Sequence, residues 1–244
     1  MSDTSIRLAK RVAEMIPCSR AEAEQYIAGG WITVDGVLVE EPAARVADEQ
    51  DVVIHPDATL AEIAPVTILL HKPAGYNAGV GTIGEPAVSL LSAESLLAPD
   101  HGKMRFLRRH LSKLTLCTPL DTTASGLVVY TQDFRVARKL VDEGKTVEQE
   151  IIVEVSGQIK EGGLALLCHG LPFNGKPIAP MKVSWQNETR LRFALKDAKP
   201  GQIAHMCRMV NLTIVSMKRI RIGRMPMASL PSGQWRYLHD YERF

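Results

Sequence analysis

The stretch PLDTTASGLVVYT, Pro119 to Thr131, sets one acidic residue among small hydroxylated side chains and then runs into a nearly unbroken apolar segment. A short apolar run bounded by turn residues reads as a buried strand. The turn before it leaves three uses open for Asp121: capping, sharing a metal ion, or acting on a substrate. Asp and Thr are turn and capping residues, and Gly126 suits the bend into a strand. A metal is disfavoured because no second carboxylate or histidine lies at short spacing. The Gly-x-Ser-x-Gly elbow of a serine hydrolase is absent as well. Capping and chemistry both stay open on the residues alone.

Working outward, further strands are predicted at VTILLH before the turn, then at EIIVEVSG, MKVSWQN, TRLRFALK and LTIVSMKRIRIG after it. A helix is predicted over about Gln202 to Val210. Strands joined by short turns, such as Asn187-Glu188, predict an α+β fold with a mixed, mainly antiparallel sheet. No glycine-rich nucleotide-cofactor loop occurs.

Ahead of this region, Ile6 to Ile16 carries a helical apolar stripe that Pro17 ends. Ser19 and Glu22 form a capping box for a second helix, stopped at Gly29 and Gly30. WITVDGVLVE is then a hairpin about Asp35-Gly36, and DVVIHP a closing strand. The division predicted is a small domain over 1–57, a linker over 58–65 and a larger domain over 66–244.

Hydrophobic residues make up 45% of the 244 and charged ones 23%, as in a globular chain with a real core. No apolar run approaches the roughly 20 residues that cross a bilayer, and MSDTSIRLAK lacks the apolar centre of a signal peptide. The four cysteines are far apart and form no C-x-x-C pair, consistent with buried thiols in a reducing cytoplasm. Charge is uneven: 5 Lys and Arg face 11 Asp and Glu up to Asp57, and 24 face 16 beyond it. HGKMRFLRRHLSK is basic, and no acidic residue lies between Asp197 and Asp240. One-signed segments of this kind suit a polyanionic partner such as RNA.

The N-terminal segments IRLAKRVAE and CSRAEAEQYIAGGWITVDGVLVEEPAARV resemble the alpha-L RNA-binding motif of a small-subunit ribosomal protein and of RNA-modifying enzymes. That resemblance implies phosphate contacts by Arg7, Lys10, Arg11 and Arg20. Ala21 stands where the motif usually carries a second basic residue. The ordered set LLHKPAGY, PLDTTASGLVVYTQD, EQEIIVEVSG, GQIAHMC and KRIRIGRMPMASLPSGQWRYL resembles the RsuA/RluB/RluE/RluF family of RNA pseudouridine synthases, over nearly the whole chain.

The resemblance implies that Asp121 is the catalytic aspartate, attacking the ribose or assisting departure of the uracil. It implies a monomeric, cytoplasmic enzyme on ribosomal RNA more than transfer RNA, with no metal and no cofactor, since nothing is oxidised and no group is imported. An aspartate, with its ordinary pKa of about 3.9, is ionised at neutral pH. A uridine must leave its stack to reach it. Lys72, at a strand end, would face the site. Pro119 replaces a family arginine that holds RNA with its base flipped, and Ile151 replaces a tyrosine that packs on the base. Gln202 and His205 stand where the family places a cation beside the carboxylate, and Arg108 and Arg109 are candidates for RNA positioning. Those replacements motivate the alternative of a catalytically impaired RNA-binding paralogue in ribosome assembly.

Overall fold

The structure is a computed structural model that describes residues 5–97 and 106–244. It divides into two compact units: residues through Pro65 together with a segment ending at Ser112, and the remainder from Val66. The segment 106–112 thus joins the first unit, although in sequence it lies deep within the stretch predicted as the second domain. Its Arg108 amide donates to Glu40 Oε2 at 2.7 Å.

In the first unit, β1 (Ile6–Arg7) precedes α1 (Leu8–Met15) and pairs with β4 (Arg45–Val46), so the helical stripe begins two residues later than predicted. The α2 helix (Arg20–Ala28) opens on the capping box: Ser19 Oγ accepts from the Glu22 amide, and Glu22 accepts from the Ser19 amide at 2.7 Å. β2 (Ile32–Val34) and β3 (Val37–Leu38) form the hairpin, with Asp35 and Gly36 both at positive φ as a tight turn requires. β5 (Val52–Ile54) adds to the other edge of β2. Leu8, Val12, Ala23, Ile27 and Ile32 close the core.

The second unit is built on one sheet. Its strands include β6 (Thr67–Lys72), β9 (Thr115–Leu116), β10 (Ser125–Thr131), β11 (Glu148–Ser156), β12 (Lys182–Trp185), β13 (Arg190–Lys196), β14 (Thr213–Ile222), β15 (Met225–Pro226) and β16 (Trp235–Tyr237). The order is β12-β13-β11-β14-β10-β6-β16, with β15 on β14 and β9 on β10. Within this sheet the described pairings are antiparallel except β10 with β14. Two short strands, β7 (Tyr76–Asn77) and β8 (Glu85–Pro86), pair separately. The helices α4 (Gly163–His169) and α5 (Gln202–Met209) bury Leu167, Ile203, Met206 and Cys207 among Val153, Leu191 and Phe193 of the sheet.

Neither α4 nor the helical strap after β10 is predicted from the sequence. That strap comprises α3 (Phe134–Ala137) and a π-helical turn over Arg138–Asp142. Polar residues interrupt any stripe there, and Leu140 is the residue it buries. The cysteines are free, and burial pushes Cys117 up to about 11 and Cys207 up to about 12, which leaves both as inert thiols.

Candidate active site

Three strands meet side by side at the end of β10. Gly126 pairs with Lys72 on β6 and with Arg219 on β14. Gly126 has φ +116°, and a Cβ there would lie 2.5 Å from the Arg219 nitrogen, against its carbonyl. Only glycine permits so close a parallel approach. The turn that begins at Thr118 rises from this junction and carries Asp121, which is half-buried.

Lys72 and Arg219 fasten that turn from beneath. Lys72 is fully buried, and its Nζ donates to the carbonyls of Pro73 at 2.9 Å, Tyr76 at 2.8 Å and Thr122 at 3.3 Å. Arg219 is 3% exposed; Nε donates to Leu127 O at 2.8 Å, Nη2 to Thr118 O at 2.7 Å, and Nη1 to Pro119 O at 3.0 Å and Gln149 Oε1 at 3.1 Å. Burial lowers the Lys72 pKa to about 8, with Arg219 adding to the fall and Asp121 opposing it. Burial likewise lowers Arg219 to about 9, again opposed by Asp121. Both therefore remain cationic at neutral pH, and both feel the Asp121 carboxylate. Backbone bonds complete the mounting: Gly75 N–H to Thr122 O at 2.7 Å, Leu120 N–H to Ala78 O at 3.0 Å, and Ala124 N–H to Asp121 O at 3.0 Å.

A β-bulge aims the arginine. Arg221 lies opposite Glu150 and Arg219 opposite Ile151, so Ile220 is an extra residue on β14. Two residues apart on a regular strand, both arginines would share one face. The extra residue separates them: Arg221 pairs with Glu148 at 2.5 Å and Glu150 at 2.6 Å on one side, while Arg219 reaches the Asp121 turn on the other.

Asp121 opens into a cleft of about 470 Å³ within the second unit. Its walls include Leu140, Val141, Ile151, Ile203 and Met217, with Gln149 and Arg219 as polar floor and Lys145 and Lys199 also on its lining. The sequence-derived residues distribute unevenly about it. Asp121 and Ile151 line the cleft, and Pro119 does so beside them. Lys72 is at the site, but with no surface left for RNA. His205 turns away: Nε2 bonds Pro172 O at 3.0 Å and the ring packs on Phe173. Gln202 is buried, and its Oε1 accepts from the Lys199 amide at 2.9 Å. Neither belongs to the cleft lining, to which α5 contributes Ile203 and Ala204. The cation beside the carboxylate is Arg219 instead. It was visible in sequence only as one member of a basic run.

In the first unit, Arg7, Lys10 and Arg20 line a shallow concavity together with Arg45, which the sequence reading had not singled out. Arg45 is held by Ser5, its Nε donating to Ser5 Oγ at 3.0 Å. Lys10 pairs with Glu14 at 3.8 Å and Arg20 with Glu24 at 3.4 Å, both loosely and in solvent. Arg11 is turned to Asp48 at 2.6 Å and does not line the concavity. Arg108 and Arg109 are exposed on a 3₁₀ turn of the same unit. Among the described residues no group of three or more His, Cys, Asp or Glu could hold a metal ion, and no helix is long and apolar enough to cross a membrane.

The chain resembles known proteins both in sequence and in fold. Residues 6–53 match the S4 domain. The chloroplastic SVR1 protein of Arabidopsis thaliana is 28% identical over 90% of this chain, which spans about half of that relative, 55%. The ribosomal small subunit pseudouridine synthase A of Escherichia coli (strain K12) is 25% identical over 97% of this chain and 98% of its own. Among solved structures, a crystal structure titled pseudouridylate synthase shares the fold, with TM-score 0.60 at 18% identity and 96% coverage of each chain.

Proposed function

We propose that this chain, a member of the RsuA/RluB/RluE/RluF family, is an RNA pseudouridine synthase that isomerises a uridine of ribosomal RNA, with Asp121 as its catalytic carboxylate. The observation that carries the reading is the half-buried Asp121, opening into a cleft of nucleoside size beside a buried arginine held by four hydrogen bonds. Arg219 sets a fixed positive charge near the carboxylate without reorganising, because its own position is set by four acceptors. Asp121 then acts at the ribose C1′ of a flipped uridine. The C1′–N1 bond breaks, the base turns, and C1′ joins C5; the C5 proton is lost and one is gained at N1. Ile151, Ile203 and Met217 keep water from the detached base.

The S4 domain supplies backbone contacts through Arg7, Lys10 and Arg20, and we assign the chemistry to the unit from Val66 onward. The enzyme works as a cytoplasmic monomer. Pseudouridine mapping of total RNA tests this, in cells with the gene, without it, and with Asp121→Asn. One uridine is expected to stay unmodified in the last two. No change in the knockout would leave the non-catalytic, ribosome-assembly role; modification that persists with Asp121→Asn would remove Asp121 from the reaction.

A further inference from the structure

Gln149 and Ile151 stand two residues apart on β11 and share the face turned into the cleft. Arg219 Nη1 donates to Gln149 Oε1 at 3.1 Å. A guanidinium has only donors, so the carbonyl half of the carboxamide is the half that faces it. The two N–H groups of Nε2 consequently face the other way. Among the described residues they meet no protein acceptor, and Gln149 lines the cleft beside Asp121. Asp197 and Lys199, elsewhere on the lining, are engaged with each other at 2.7 Å. The floor of the cleft thus offers a fixed pair of neutral donors.

We propose that the carboxamide of Gln149 reads the flipped pyrimidine through a ring carbonyl and selects uracil over cytosine. The inference rests on the cleft being the uridine site. Uracil carries a carbonyl acceptor at C4 where cytosine carries an amino donor. Isomerisation turns the base by half a revolution about its N3–C6 axis, which exchanges N1 with C5 and O2 with O4. A donor that meets one carbonyl in the substrate meets the other in the product, so the contact serves both ends of the reaction. With the C4 carbonyl placed against the carboxamide in the substrate, cytosine would set its amino group against that donor. With Ile151 and Ile222 beside it, such an unpaired donor is not readily rehydrated, and the mismatch is correspondingly costly.

The test is an NMR titration of the labelled full chain with uridine, pseudouridine and cytidine 5′-monophosphates. The Gln149 side-chain amide is assigned by its loss in Gln149→Met. The uridine and pseudouridine nucleotides are expected to move that amide; the cytidine nucleotide is expected to move the Ile151 and Met217 methyls without it. Gln149→Met should weaken uridine nucleotide binding about 2- to 10-fold and leave cytidine nucleotide binding unchanged. Gln149→Glu, which keeps an acceptor for Arg219 but has no N–H, should also lose the preference. If Gln149→Met weakens both nucleotides alike and Gln149→Glu restores both, the residue merely supports Arg219 and the proposal fails. A response of Ile151 and Met217 to the uridine nucleotide without Gln149 defeats the inference but spares the uridine site. Silence of every cleft signal towards all three nucleotides defeats both.

Discussion

Replacing Gly126 with alanine tests the junction on which the site is mounted. The added Cβ would fall against the Arg219 carbonyl and 2.5 Å from its nitrogen, at φ +116°. Ordinary contact begins near 3.5 Å, so β10 and β14 must separate by about 1 Å at this point. Overpacking and the forbidden backbone angle together cost about 2–5 kcal/mol. For a unit of this size that lowers Tm by about 5–15 °C. The parallel pairing consists of Ser125 with Lys218 and Gly126 with Arg219, so separation there carries Arg219 away from the Asp121 turn. A positioning error of that size costs about 100-fold in rate. Thermal melts followed by quantification of pseudouridine formed in total RNA give both numbers. Gly144→Ala serves as the control for stability, since nothing lies within 4 Å of its Cβ and its φ is ordinary. If Gly126→Ala melts with the wild type, the close approach of the two strands is not what the glycine provides, and the account of the junction is wrong.

Further outcomes follow from the same geometry. Arg219→Met leaves the carbonyls of Thr118, Pro119 and Leu127 without their donor and should cost about 3–5 kcal/mol while abolishing pseudouridine formation; a stable, active variant would remove Arg219 from the site. Lys72 has its pKa at about 8 in the folded chain, below the ordinary 10.5. Below pH 8 both states hold the proton and the burial penalty is constant. Between about 8 and 10.5 the unfolded state binds it and the folded state does not, so stability from this group rises with pH. The wild-type minus Lys72→Met difference in urea stability should therefore climb across that window, and a flat difference would contradict the shift. Changing Arg7, Lys10 and Arg20 together to Ala should reduce the slope of log affinity for RNA against log salt by about 2–3, measured by filter binding; an unchanged slope would place the RNA elsewhere.

Much of the fold was legible because local chemistry and burial agree along short stretches. Ser19 and Glu22 satisfy each other within one turn, and Asp35-Gly36 selects its own hairpin. The strands from Thr67, Ser125, Glu148, Arg190 and Thr213 announce themselves by apolar content. The strap from Phe134 to Asp142 and the α4 helix did not, since they bury few side chains. Nor could the chain order show that 106–112 joins the first unit, which depends on a contact between Arg108 and Glu40 across 68 positions.

The site divides the same way. The turn that carries Asp121 and the bend at Gly126 could be read directly, because a carboxylate in a turn before a buried strand is a local pattern. The partner of that carboxylate could not. His205, the nearest candidate by segment, is carried by the α5 helix towards Pro172, and Lys72 is buried beneath the turn. Arg219 and Arg221 look equivalent in KRIRIG, two residues apart on one strand. Only the register of β14 against β11, with Ile220 left over, turns one to the Glu148 and Glu150 carboxylates and the other into the cleft. Sequence determines which groups a strand carries; the pairing with its neighbour decides which face each one serves, because the side-chain period of a strand is two and a single extra residue reverses it.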